Sequence, residues 1–257
     1  MTTPTQAAAP PPARTFASEA LDMARTIAWA LAIALVARIF IFQPCTIPSD
    51  SMEPTVRTGD YILVSKWDYG FSRASIPFNP PLFHGRLFGR DPMRGDVVVF
   101  RLPRDPNVDY IKRVIGLPGD RVQLKDGVVY VNGKAIPRTP GGVTHDPGLG
   151  DLAVTRYFEP RARGGDYVTW DQGPGHDGDD TGVYRVPEGS YFMLGDNRDN
   201  SLDSRWPEAV GVGFVPAENL VGRARLSLIS WRYGASIMKP WTWIAGLEPD
   251  RFFRVLR

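Results

Sequence analysis

The hydrophobic pattern changes character twice along the chain. Sixteen positions from Ile27 to Phe42 are apolar except Arg38. Ser18, followed by Glu19, Ala20 and Leu21, has the form of a helix N-cap with an acid in the first turn. Pro44 should end the helix at about Gln43. A helix over 18–43 would be roughly 39 Å long, enough to cross a bilayer; its strictly apolar part is roughly 24 Å against a hydrocarbon core of ~30 Å. Arg38 lies near one end, where a long side chain can snorkel to the interface. The preceding residues are small, polar or Pro without periodicity, and predict a disordered tail over 1–17. A core helix or a cleaved signal peptide would also give an apolar run. The run is apolar on every face, and no small-x-small site follows it, so an anchor is the better reading.

After the anchor the pattern turns to short β-rich runs, of which Tyr110–Ile115 alternates in part. Tyr61–Val64, Val97–Phe100, Tyr110–Ile115, Val122–Leu124, Val128–Val131, Tyr184–Leu194 and Leu220–Tyr233 read as strands. Asp126-Gly127 reads as a tight hairpin turn, and Asn132-Gly133 as the next. Residues 137–182 are dense in Gly, Pro and Asp and read as an insertion subdomain with two weak strands. It separates 44–136 from 183–257, which together predict one catalytic-type domain. The expected fold is mainly β: a coiled, antiparallel, barrel-like domain behind a single transmembrane helix.

Composition narrows the chemistry. There are 26 Gly and 24 Pro among 257 residues, which suits turns rather than a helical bundle. Thirty Lys+Arg stand against 28 Asp+Glu, so no basic footprint for nucleic acid exists. Cys45 is the only cysteine, which excludes an intrachain disulfide and a multi-cysteine zinc site. There are three histidines, His84, His145 and His176, all in loop-like stretches, and no H-E-x-x-H is present. Metal chemistry is therefore not expected.

Three segments carry candidate chemistry. Ile47-Pro-Ser-Asp-Ser-Met-Glu-Pro-Thr55 begins just past the anchor and holds Ser49 and Ser51 between stiffening prolines. A serine nucleophile needs a base, and no G-x-S-x-G elbow or well-placed histidine offers one. Tyr110-Ile-Lys-Arg-Val-Ile115 puts Lys112 on one strand face with Tyr110 and Val114. Free lysine, with a pKa near 10.4, is neutral in fewer than about 1 in 1,000 molecules at pH 7. Burial would have to lower that value by about 2–3 units for Lys112 to act as a base. Gly195-Asp-Asn-Arg-Asp-Asn-Ser-Leu-Asp-Ser-Arg205 is too polar for a strand; its Arg and Asp residues suit internal pairing. Taken singly, each has a plain structural reading: a Ser/Pro turn, a lysine on a wet face, a solvated loop.

Taken in order, with Gly59-Asp60, Lys66 and Arg94-Gly-Asp-Val97, these segments resemble those of the bacterial type I signal peptidases, anchored serine proteases with a Ser/Lys dyad. The resemblance implies Ser51 as nucleophile and Lys112 as general base. It implies an oxyanion hole from the Ser49 hydroxyl and the Ser51 N–H, and a lysine-orienting hydroxyl on Ser201. Asp203 and Arg205 would form a salt bridge, with Arg113 and Asp196 in support. Ile47 and Ile111 would wall small pockets that favour Ala-x-Ala before the cut; Tyr110 flanks them. Cys45, where relatives often carry an aromatic residue, would reshape the S3 pocket. The implied partners are secretory preproteins and the lipid bilayer, with no cofactor, metal or nucleic acid. The implied location is the bacterial cytoplasmic membrane, single-pass, with the tail cytoplasmic and the catalytic domain on the outer, periplasmic face. A non-catalytic anchored binding module is the competing class, and the intact dyad argues against it; a specialised peptidase of the same clan would have an altered 195–205 loop, and here that loop is complete. Trp231–Trp243 and Phe252–Leu256 are apolar stretches that either dip into lipid or pack on the domain.

Overall fold

The computed structural model describes residues 15–76, 84–232 and 241–256. Residues 1–14 of the expected 1–17 tail, residues 77–83 beside His84 and the centre of Trp231–Trp243 lie outside them, whereas Phe16 and Ala17, expected in the tail, are already helical. Helix α1 spans Phe16–Phe40, and its window Phe16–Arg38 is long and apolar enough to cross a membrane. Ser18 is not its cap. The Thr15 carbonyl already accepts from the N–H of Ser18 at 2.9 Å and of Glu19 at 3.1 Å, so Ser18 lies inside the first turn. The helix also ends three residues before Gln43. Phe42–Thr46 is strand β1, paired with the next strand, and Pro44 sits within it opposite Leu63. An edge strand tolerates a proline whose missing N–H would face outward. Contacts divide the chain after Arg38, leaving Ile39–Arg257 as one compact unit.

In that unit the strands after β1 are Asp60–Ser65 (β2), Val97–Leu102 (β3), Asp105–Gly116 (β4), Arg121–Lys125 (β5), Val128–Val131 (β6) and Lys134–Ala135 (β7). Thr139–Asp146 (β8), Leu152–Pro160 (β9) and Asp166–Asp171 (β10) follow. Tyr184–Arg185 (β11), Ser190–Leu194 (β12), Val215–Pro216 (β13), Leu220–Ser230 (β14) and Arg254–Val255 (β15) complete them. All pairings between these strands are antiparallel, as the sequence predicts. The main sheet has eight strands in the order β1-β2-β14-β3-β4-β12-β13, with β15 on β14. A second sheet is β11-β5-β6-β7 and a third β10-β9-β8. The turn Asp126-Gly127 has φ of 47° and 70°, the left-handed pair a two-residue hairpin requires. Pro187 and Gly189 break the expected Tyr184–Leu194 strand in two.

The insertion is more ordered than its composition suggests. It holds three strands rather than two, with β9 pairing both neighbours over most of its length. His145 lies on β8 rather than in a loop, although its side chain is exposed, like those of His84 and His176. The short helix α2, Trp241–Ala245, was not anticipated. Trp241 and Phe253 are 74% and 68% exposed while Leu256 is buried in the core with Ile47 and Met52, so the two apolar stretches are packed on the domain only in part.

Strand β4 lies where three apolar clusters meet. Ile111 packs with Ile47, Met52, Val64 and Val99. Tyr110 and Val114 pack with Val98, Phe100 and Met193. Ile115 packs with Val122, Leu124 and Phe192. Every residue from Ile111 to Gly116 is buried. Each fully buried Val, Ile or Phe contributes about 1.5–3 kcal/mol, so the strand stays buried although it carries Lys112 and Arg113 inside with it.

Candidate active site

Ser51 and Lys112 meet across the base of a cleft lined by Pro48–Ser51, Val108–Lys112, Gly148, Leu149, Asp199–Leu202 and Trp206, with a volume of about 760 Å³. The segment after β1 turns at Asp50–Ser51, with the Glu53 N–H donating to the Asp50 carbonyl at 3.0 Å. This raises Ser51 against β4, where Lys112 Nζ donates to Ser51 Oγ. Lys112 is 2% exposed. Burial lowers its pKa from 10.5 to about 8, opposed by the charges of Asp203 and Asp196 and helped by Arg205. At pH 7 roughly a tenth of such a group is neutral, several-hundredfold more than for free lysine. Ser49 Oγ lies 3.4 Å from Ser51 Oγ, on the same side of the cleft.

The 195–205 loop closes over this pair because Gly195 has no side chain. A Cβ there would sit 2.5 Å from Ser201 Cβ and closer still to Ser201 Oγ and the Ser51 carbonyl. Ser201 therefore lies beside the nucleophile. Its Oγ is buried without a hydrogen-bond partner among the described residues, so no bond to Lys112 is made. The loop is held by ion pairs. Arg113 Nε and Nη2 each donate at 2.6 Å to Asp196. The Arg113 guanidinium stacks 3.8 Å from the Tyr167 ring centroid, and Thr55 Oγ1 donates to Asp196 at 2.5 Å. Arg205 Nε and Nη2 donate at 2.9 Å to the two oxygens of Asp203, whose carboxyl is held below the usual range, mainly by Arg205, despite burial. The Gly195 N–H completes Asp203 at 3.1 Å. All four charged residues are buried. Such planar, bidentate pairing is what offsets the desolvation of buried charges.

The expected pocket residues divide between two faces of β4. Cys45, Ile47 and Ile111 share one apolar cluster. Tyr110 belongs to the other, with its ring centroid 5.7 Å from Lys112 Nζ.

Asn197 and Arg198 lie inside the 195–205 segment without a role assigned from sequence, and their partners in the insertion carry no motif signal. Asn197 donates its N–H to the Ser51 carbonyl at 3.2 Å and its Nδ2 to Asp146 of the insertion at 2.8 Å. Arg198 pairs with Glu159 at 2.6 Å, and Tyr167 donates to the same carboxylate at 2.6 Å. Trp170 forms a parallel bridge to Asn197. The insertion sheet thus backs the catalytic-type loop. Only long-range pairing, 51 residues apart for Asn197 and Asp146, makes that visible. Among the described residues no group of His, Cys, Asp or Glu is arranged to hold a metal ion.

Comparison with known proteins gives the family. The family described as "Signal peptidase, peptidase S26" matches residues 20–231. A signal peptidase I of Rickettsia typhi is 43% identical over 245 residues, covering 88% of this chain and 90% of its own. Those of Rickettsia akari and Rickettsia felis are 43% and 41% identical over 249 and 251 residues, covering 89% and 90% of this chain and 90% and 91% of theirs. A crystal structure of a signal peptidase I from Enterococcus faecalis shares 27% identity, covers 52% of this chain and 97% of its own, and has a TM-score of 0.31. The match of the family along most of the chain, and relatives above 40% identity over nearly nine-tenths of it, place this protein in that family: the chain belongs to the signal peptidases of peptidase family S26.

Proposed function

We propose that the chain is a membrane-anchored serine endopeptidase that removes signal peptides from exported preproteins after an Ala-x-Ala-type site. The observation that carries this reading is the buried Lys112 amine, lowered to about 8 and hydrogen-bonded to Ser51. Neutral Lys112 takes the Ser51 proton as Oγ attacks the scissile carbonyl. The Ser51 N–H and the Ser49 hydroxyl hold the developing oxyanion. The resulting ammonium donates its proton to the leaving amine as the tetrahedral intermediate collapses to the acyl-enzyme. Neutral again, Lys112 activates the water that hydrolyses the ester. Asp196–Arg113 and Asp203–Arg205 hold the loop that keeps Ser201 beside the pair. Cys45, Ile47 and Ile111 limit the residues accepted before the cut.

Helix α1 is the anchor in this reading. It places the tail in the cytoplasm and the β domain on the outer face of the cytoplasmic membrane, where exported chains emerge. The test is cleavage, in detergent with added lipid, of a preprotein whose signal ends in Ala-x-Ala. Ser51→Ala and Lys112→Ala should both abolish cutting while leaving the thermal transition in place. Retained cutting by either variant overturns the dyad.

A further inference from the structure

Behind Ser51 lies a second buried pair that the mechanism does not use. Glu53 is 1% exposed and Asp146, at the end of β8, is 0% exposed, and their carboxyl groups are hydrogen-bonded to each other. Asp146 already accepts on both oxygens. Oδ1 takes the N–H groups of Gly148 and Leu149 at 2.8 and 3.3 Å, and Oδ2 takes Asn197 Nδ2 at 2.8 Å. A carboxyl facing an acceptor so engaged must itself supply the hydrogen. Glu53 Oε2 has no hydrogen-bond partner among the described residues, a costly state for an ionised oxygen and a cheap one for a neutral acid.

The groups facing Glu53 favour the same form. Asp146 and Asp50 are both acidic; among the described residues Arg57 is the one cation acting on Glu53, and it is paired with Glu248. Burial first, then Asp50 and Asp146, raise the Glu53 pKa from 4.5 to about 8.

Resting on the Ser51 reading above, we infer that Glu53 is a positioning residue whose proton clamps the insertion sheet to the nucleophile segment. The path is short. Asp146 holds the turn Pro147–Leu149, which borders the cleft, and also Asn197, whose N–H grips the Ser51 carbonyl. Ionised Glu53 would set two carboxylates against each other, with no free cation beside them among the described residues. Asp146 would be pushed away, and the turn and Asn197 with it.

The consequence is an alkaline limb that Lys112 alone does not produce. Lys112 gains activity as pH rises towards 8, because its neutral form is the base. Glu53 loses its clamp as pH rises through the same region. Wild type should therefore give a bell-shaped kcat/KM profile, with a maximum near pH 8. Glu53→Gln keeps a donor of the same shape that cannot ionise, and should leave only the acid limb. The ratio of wild-type to Glu53→Gln kcat/KM should then fall about tenfold between pH 7 and pH 9. A ratio that stays constant over that range overturns the inference, as does a wild-type profile with no alkaline limb.

The thermal transition gives a readout independent of the reaction. A raised folded-state pKa means the native state binds the extra proton, so stability falls as pH rises from about 4.5 to about 8. Glu53→Gln should lack that component, and an identical slope in both proteins overturns the inference. If Ser51→Ala still cuts, the dyad reading fails, and the thermal slope alone decides the role of Glu53.

Discussion

Replacing Gly195 with alanine tests how closely the polar loop must approach the nucleophile. The added Cβ would lie 2.5 Å from Ser201 Cβ, where ordinary carbon–carbon contact begins near ~3.5 Å, so something must retreat by about 1 Å. Ser201 Oγ can rotate away, but Ser201 Cβ and the Ser51 carbonyl cannot. The carbonyl is also fixed by the Asn197 N–H at 3.2 Å. The loop is tied down by Arg113–Asp196 and Arg205–Asp203, so the strain falls on the segment carrying Ser51. Misplacing a reacting group by about 1 Å costs on the order of 10²-fold in rate. Gly195→Ala should therefore lower kcat/KM for preprotein cleavage about 100-fold. Gly182 supplies the control, because its added Cβ meets nothing within 4 Å; Gly182→Ala should cut like wild type. Both are assayed on one preprotein in detergent, with the thermal transition recorded alongside. Activity of Gly195→Ala within threefold of wild type would refute the close-approach argument.

Two further outcomes concern the same site. Lys112 has its folded-state pKa lowered to about 8, so kcat/KM should fall tenfold per pH unit below that value; a limb centred near 10 would mean the amine is not desolvated in solution. The same shift makes this group's contribution to stability improve as pH rises from about 8 to 10.5, because the unfolded chain binds the proton that the native state releases. Asp196→Ala leaves the fully buried Arg113 guanidinium without its bidentate partner. It should cost about 3–5 kcal/mol, measured by denaturant unfolding of the β domain, and a loss below 1 kcal/mol would mean that water enters to replace the carboxylate.

The strands of the β domain were legible because alternation and glycine turns are local signals. Val97–Phe100 and Val122–Val131 fall where short β-rich runs between glycine turns put them. The chemistry of Ser51 and Lys112 was legible from their surroundings along the chain, but their meeting rests on β4 being covered on both faces. Alternation alone would have left Lys112 on a wet face. The insertion was hardest to read. Its Gly and Pro residues hide three strands, of which only the β8–β9 pairing is bulged, and its functional groups, Asp146, Glu159 and Tyr167, find partners 8 to 51 residues away. Glu53 and Thr55 sat inside a recognisable segment without any sign of their roles, because those roles depend on Asp146 and Asp196. The helix boundary failed for a physical reason too: pairing of β1 with β2 outcompeted one more helical turn before Pro44.

The direct run of α1 into β1 sets a leash. Eleven residues carry the chain from Phe40 to Ser51, which even fully stretched span no more than about 40 Å. With the helix in the bilayer as proposed, Ser51 can never work farther than that from the lipid surface, whatever the β domain does. A peptide bond is then selected by altitude as well as by side chains. One lying just beyond a membrane-seated hydrophobic segment is within reach, while an identical Ala-x-Ala sequence deep in a released, folded protein is out of range unless that protein itself descends to the membrane.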